Sequence, residues 1–298
     1  MNMLTKRFAV PGVLALLAVA GTILPGTVRS TGAEEIRRVS ERLIPFSPGG
    51  QIRVNDKNGR LVIEAWPRHE VRVQVTRVVR AGDRAKAEEL MKDLQADIEV
   101  RSNRIDIQSR FPKRTETIGL WDILGRKIAA VQINYYLQVP EESSLDLETS
   151  NGEVRVSATH GSVDARTTNG DIKVEDVRGN LDLLTTNGEV RLTDLAGGAT
   201  AHTTNGSVIA ELRKLPPRGT VDLGTTNGNV EAFFAGDLKA SLTATTTNGQ
   251  VSIDFPITRE GVMTSKTIRG TIQGGGAKIS IGTTNGNVEV RRLGARRP

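Results

Sequence analysis

The sequence predicts an all-β fold, a parallel β-solenoid (β-helix) of ~9-residue strand-turn units with 18 residues per coil. Three observations predict it. Glycines recur every nine residues at Gly152, Gly161, Gly170, Gly179, Gly188, Gly197 and Gly206. Every second one closes the phrase Thr-Thr-Asn-Gly, at 167–170, 185–188 and 203–206. The phrase returns at 225–228, 246–249 and 283–286, and a Thr149-Ser150-Asn151-Gly152 variant begins the series. After each phrase comes a short alternating segment such as Glu153-Val154-Arg155-Val156, Asp171-Ile172-Lys173-Val174 or Glu189-Val190-Arg191-Leu192. Apolar residues at i and i+2 mark a strand with one buried face.

A second family of strands lies half a period away, through Leu145/Leu147, Val163/Ala165, Leu181/Leu183, Ala199/Ala201, Val221/Leu223, Leu242/Ala244 and Ile279/Ile281. An antiparallel β-meander is the alternative assembly, because Asn-Gly between alternating apolar segments is a strong hairpin signal. The solenoid is preferred because the repeat is columnar, placing Asn above Asn and Val above Val, and stacked Asn side chains can hydrogen-bond along a ladder. In that arrangement Asn151-Gly152, Asn169-Gly170, Asn187-Gly188, Asn205-Gly206, Asn227-Gly228, Asn248-Gly249 and Asn285-Gly286 are structural turns. Positive φ is expected at Gly170, Gly188 and Gly206, because Asn-Gly tolerates left-handed backbone. Glu153, Asp171 and Glu189 form one outward column beside Arg155, Lys173 and Arg191, which reads as a solvated face of ion-pair ladders.

Outside the repeat, the chain divides into residues 1–33, 34–140, 141–293 and a basic tail at 294–298. Lys6 and Arg7 precede an apolar run from Phe8 to Leu24, and small residues lead to Thr31-Gly32-Ala33, the form of a secretory signal peptide. An uncleaved anchor is the alternative, although ~17 residues containing Pro11, Gly12 and Gly21 are marginal for spanning a bilayer. After signal removal no membrane span remains. Residues 34–140 are an irregular, β-rich capping region with strands expected at about 51–54, 60–66, 71–79, 98–101 and 104–108. It holds one short helix over 83–95, with Asp83 as N-cap and Ala87, Leu90, Met91 and Leu94 at helical spacing. Phe111 to Ala130 reads as a long loop holding Trp121, Ile123 and Leu124, followed by a strand at 134–139. Arg291-Arg292 and Arg296-Arg297 read as a charged end-cap that blocks strand addition.

The Thr-Thr-Asn-Gly-x-Val/Ile-x-Val/Ala units are joined upstream by Gly50-Gln51-Ile52-Arg53-Val54 and by Asn58 to Trp66. Together they resemble the bacterial family of β-strand-repeat envelope proteins described as putative adhesins, a domain family of unknown function. The likeness runs from about residue 36 to 293. It implies a β-helix-like, surface-associated, non-enzymatic protein and brings no catalytic motif with it.

Composition agrees with a thin stack: 37% apolar and 3% aromatic, with a formal charge of +6 spread among interleaved acids. Cysteine is absent, which excludes a disulfide framework and a thiolate ligand or nucleophile. The absence of a basic helix and the scarcity of aromatics argue against nucleic-acid binding. His69, His160 and His202 share no metal-ligand spacing, and calcium β-rolls carry an aspartate where these turns have Thr-Thr-Asn-Gly. No cofactor and no metal are expected.

The expected role is therefore exported, non-enzymatic binding or adhesion at the cell envelope, in the periplasm or at the cell surface. A structural or signalling envelope component that binds another protein is the alternative. A carbohydrate-active enzyme using the outward Asp146, Asp164, Asp182 and Asp222 column is a further one. The Thr-Thr-Asn-Gly turn is never lengthened, and every insertion falls on the opposite edge, at 212–219, 233–239 and 256–277. Insertions gathered on one edge of a repeat protein build binding surfaces. The candidate residues there are Arg213, Lys214, Arg218, Phe233, Phe234, Arg259 and Lys266, suited to an anionic glycan or an acidic envelope protein.

Overall fold

The computed structural model describes residues 34–112, 130–260 and 264–294. The expected signal segment, Trp121, Ile123 and Leu124 of the long loop, and Arg296-Arg297 lie outside the described residues. The N-terminal region contributes β1 (Glu34–Pro45), β2 (Gln51–Asn55), β3 (Leu61–Trp66), β4 (Glu70–Ala81), α1 (Arg84–Asp93), β5 (Gln95–Arg101), β6 (Arg104–Arg110) and β7 (Ala130–Pro140). The repeat follows in strand pairs: β8 (Ser144–Asn151) and β9 (Val154–Ser157), β10 (Val163–Asn169) and β11 (Ile172–Glu175), β12 (Leu181–Asn187) and β13 (Val190–Ala196). Then come β14 (Ala199–Asn205) and β15 (Val208–Lys214), β16 (Thr220–Asn227) and β17 (Val230–Phe234), and β18 (Ala240–Asn248) and β19 (Val251–Ile253). The last strands are β20 (Thr258–Arg259), β21 (Thr267–Ile272), β22 (Ala277–Asn285) and β23 (Val288–Arg292).

These strands form two sheets. One has the order β1-β4-β7-β3-β9-β11-β13-β15-β17-β23-β19, and the other β20-β21-β18-β22-β16-β14-β12-β10-β8-β2-β6-β5. Successive repeat strands alternate between the sheets, and each pairs in parallel with its equivalent. Ile172 sits between Val154 and Val190, and Val190 in turn opposes Val208. The antiparallel meander is not the pairing of β8 to β17. Val154, Ile172, Val190, Val208, Val230 and Val288 are all fully buried, and inward residues of both sheets join one hydrophobic cluster. Outside, the two charged columns stand as expected: Lys173 reaches Glu153 at 2.9 Å and Asp171 at 3.6 Å, and Arg191 reaches Glu189 at 2.7 Å. Burial alone would raise the Glu153 carboxyl, but Lys173 and Arg155 outweigh it and hold the group below its ordinary range.

The corners explain the Thr-Thr-Asn-Gly phrase residue by residue. Its first threonine points inward, and its hydroxyl donates to a glycine carbonyl one repeat away: Thr185 to Gly170 at 3.0 Å and Thr203 to Gly188 at 3.0 Å. A β-branched filler thereby satisfies its own buried oxygen. The second threonine is exposed. The asparagines form a continuous ladder, each amide donating to the next side-chain carbonyl, as from Asn187 to Asn169 and from Asn205 to Asn187, both at 2.8 Å. The glycine obeys a different rule from the one expected. Gly170 and Gly206 have φ of +158° and +147°, but Gly188 does not share a positive φ. What the three have in common is crowding, since a β-carbon on any of them would fall 2.0–2.1 Å from the glycine carbonyl oxygen of the preceding repeat.

The helix forms where expected. Asp83 caps it by accepting the Lys86 N–H at 2.7 Å, and Ala87, Leu90 and Met91 are buried. The order of the repeats at both ends is unexpected. β22 and β23, last in sequence, are threaded between β16/β17 and β18/β19. The Asn ladder accordingly runs from Asn227 to Asn285 and then to Asn248, at 2.8 Å for each step. At the other end β2/β3 sits between β6/β7 and β8/β9. Arg291 and Arg292 are thus inside a sheet rather than capping its end. Arg291 pairs with Glu289, and the Arg292 guanidinium lies over the Phe255 ring at 5.4 Å.

Candidate binding groove

The threading of β22 builds a site from segments far apart in sequence. Because β22 lies between β16 and β18, the turns that precede these three strands lie side by side. Lys278 N–H donates to Gly219 O, and Ala277 N–H to Lys239 O, both at 3.0 Å. The Gln273 amide donates to Gly236 O at 3.2 Å. A tight left-handed turn through Gln273, Gly274 and Gly275 (φ +47°, +82° and +85°) brings the chain into β22. Gly276 then passes so close to Lys239 that a β-carbon would meet its carbonyl oxygen at 2.6 Å.

The three turns enclose a groove of about 380 Å³. Leu212, Leu215, Pro217, Phe234 and Leu238 give it an apolar lining, and Arg213, Lys214, Lys239 and Asp237 supply the charge. Lys214, Lys239 and Asp237 are exposed, while Arg213 also reaches Asp194 at 2.5 Å. With Arg213 balanced by Asp194, Lys214 and Lys239 against Asp237 leave the groove electropositive.

Of the residues singled out by sequence, Arg213, Lys214 and Phe234 line the groove. Arg218 lies in the adjoining turn, closed by Gly219 N–H to Pro216 O at 2.8 Å. Phe233 is 6% exposed and sits in its sheet between Glu211 and Arg291. Arg259 is on β20 opposite Gly270. Lys266 is at the far corner, where its carbonyl accepts the Thr246 N–H at 2.9 Å. The 256–277 segment, expected as an insertion on the groove edge, instead extends a sheet: β21 pairs antiparallel with β18, from Ala240–Ile272 to Thr245–Thr267. Lys239 and Leu238 were not singled out individually. Their signal was position, in the turn whose apolar residue must fold inward.

Two other polar clusters lie outside the groove. Asp146, Asp164 and Asp182 form an outward column as expected, tied by Arg53 to Asp146 at 3.3 Å and by Arg166 to Asp164 at 2.7 Å, but Thr200 of β14 separates Asp222 from the other three. Partial burial raises the Asp164 carboxyl against the opposing pull of Arg166, and Asp182 adds to the rise. In the capping region Asp56 is 2% exposed and Tyr135 is 1% exposed, with the Tyr135 hydroxyl 2.7 Å from Ser109 Oγ. Burial pushes the Asp56 carboxyl up to about 6, only partly offset by the neighbouring Ser109 and the Lys57 and Asn58 backbone, and neither of its oxygens is hydrogen-bonded; burial raises the Tyr135 phenol as well. His160 and His202 each lie 3.6 Å from one carboxylate, Glu141 and Asp222. Among the described residues no group of three or more His, Asp or Glu is arranged to hold a metal ion, and no helix is long and apolar enough to cross a membrane.

Among solved structures, the chain is similar to a putative cell adhesion protein from Clostridium sporogenes, at 8% identity over 87% of this chain and 99% of that one, with a TM-score of 0.30. It is also similar to a putative adhesin from Bacteroides fragilis, at 8% identity over 86% and 97%, with a TM-score of 0.38. A putative adhesin from Parabacteroides distasonis gives 8% identity over 86% and 97%, with a TM-score of 0.32. Scores this low carry no functional weight. No curated protein matches the sequence. Residues 178–291 match the family model described as Toastrack DUF4097, and the resemblance read from the Thr-Thr-Asn-Gly units rests on that match.

Proposed function

We propose that the chain is an exported, non-enzymatic β-solenoid of the bacterial envelope, in the periplasm or at the cell surface, that binds an acidic protein segment in the groove at its insertion edge. The solenoid reading is supported by in-register parallel pairing in both sheets, and export by the basic and apolar run before residue 34. One observation carries the binding reading: insertions from three separate repeats converge on a single groove with an apolar lining and a cationic excess. That combination favours a protein segment with apolar and acidic side chains over an anionic glycan, whose hydroxyl-rich surface has less use for Leu215, Pro217 and Leu238. The non-enzymatic reading is supported by the Asp146, Asp164 and Asp182 column, which stands on a sheet face and is tied to Arg53 and Arg166.

The test is binding of the full chain to a panel of acidic peptides carrying interspersed leucines and to polyuronate oligosaccharides, each at low and high salt. Peptide binding should weaken with salt and fall about tenfold in a Lys214→Ser/Lys239→Ser variant, since two partly screened contacts are worth roughly 1.4 kcal/mol together. Preference for the oligosaccharide would replace this ligand class, and unchanged binding in the variant would place the functional face elsewhere.

A further inference from the structure

Strand β1 is the open edge of the eleven-strand sheet. It pairs antiparallel with β4 along its whole length and, among the described residues, has no neighbour on its other side. Twelve residues of unpaired edge are a template for strand addition unless charge forbids it. β1 carries Glu34, Glu35 and Glu41 against Arg37, Arg38 and Arg42, so its charges cancel. Its outer face also presents Val39 and Leu43, which are 54% and 49% exposed. Ile36 and Ile44 turn to the opposite face and pack on the core, and Arg38, on that same side, bonds Glu88 of α1 at 2.9 Å.

The order of these residues is self-complementary in one register. We propose that a second copy of this chain pairs antiparallel along β1, with Val39 opposite the partner's Val39 about a two-fold axis normal to the sheet. In that register Arg37 faces the partner's Glu41 twice over, Arg38 faces Ser40, and no like charges are directly opposed. Outer faces stay on the same side, so the sheet continues across both copies. Sliding by two residues one way sets Arg38 against Arg38 and Glu35 against Glu41; sliding the other way sets Arg38 against Arg42 twice. Cross-strand like charges are destabilising, so either shift loses what the proposed register gains. Glu41 already lies 3.4 Å from Arg72 of β4, which holds its carboxylate on the outer face. A contact limited to one strand per copy is small, and the expected dimer is transient, with a Kd on the order of micromolar.

The absence of cysteine makes the test clean. Opposed antiparallel residues have Cα atoms ~4.5–5.5 Å apart, within disulfide range. Val39→Cys in the full chain should therefore give a disulfide-linked dimer under mild oxidation. Leu43→Cys should not, because its two copies would lie roughly 27 Å apart along the strands. In sedimentation experiments Arg37→Glu should shift the chain to monomer, and Arg37→Glu/Glu41→Arg should restore the dimer. Equal cross-linking at 39 and 43, or a double variant that stays monomeric, overturns the proposal.

Discussion

Gly188 runs so close to Gly170 in the neighbouring repeat that a β-carbon on it would sit 2.0 Å from the Gly170 carbonyl oxygen. The same oxygen accepts the Thr185 hydroxyl at 3.0 Å, so the corner is closed by backbone on one side and by threonine on the other. A substituent there has to push whole repeats apart. Gly188→Ala should lower the unfolding free energy by at least about 2 kcal/mol, read from the urea midpoint. Gly236→Ala, where a β-carbon meets nothing within 4 Å, is the control and should be nearly neutral. Equal effects at both positions would contradict the steric reading.

Ala158, Asp176 and Asp194 occupy equivalent left-handed positions at the other edge, with φ of +59°, +50° and +60°. Aspartate tolerates this region better than alanine, whose β-carbon clashes at a cost of roughly 1–2 kcal/mol. Ala158→Gly should therefore stabilise the protein by about 0.5–1 kcal/mol, after the entropy lost to a more flexible unfolded chain. A lower melting temperature in the variant would show that the turn is not strained.

Asp56 makes stability depend on pH. Its carboxyl titrates near 3.8 unfolded and at about 6 folded, so between those values the folded state binds the extra proton. The favourable contribution is present below 3.8 and is lost as pH rises through 6. Asp56→Asn, neutral throughout, should match the parent near pH 4 and exceed it by roughly 2 kcal/mol at pH 7. Parallel stability curves for the two proteins between pH 4 and pH 7 would contradict this.

Much of the fold is legible in the sequence because its period fixes which residues share a column, and alternation fixes which of them are buried. Ile172, Val190 and Val208 follow from that alone. β1 gave no such signal: nearly every residue in it is exposed, so Glu34 to Pro45 shows no alternation to read. Repeat order was hidden by the repeat's own uniformity. An Asn ladder fits Asn285 beside Asn227 as well as it would fit Asn248, so identical units cannot encode their neighbours. The insertion edge was visible as broken spacing. The groove was not, because it depends on β22 entering between β16 and β18 and carrying Gly275 and Gly276 to Lys239.

That threading is the link between fold and site, and paired cysteines in this cysteine-free chain measure it directly. Asp222 opposes Ser280, and Ser280 opposes Thr243 on its other side. Adjacent strands lie ~4.8 Å apart, within disulfide reach, whereas next-nearest strands at ~9.6 Å are beyond it. Asp222→Cys/Ser280→Cys should form an intramolecular disulfide rapidly in the native protein, and Asp222→Cys/Thr243→Cys should remain reduced. The reverse result, with 222 joined to 243, would mean that the repeats stack in sequence order and that the groove is not assembled as described.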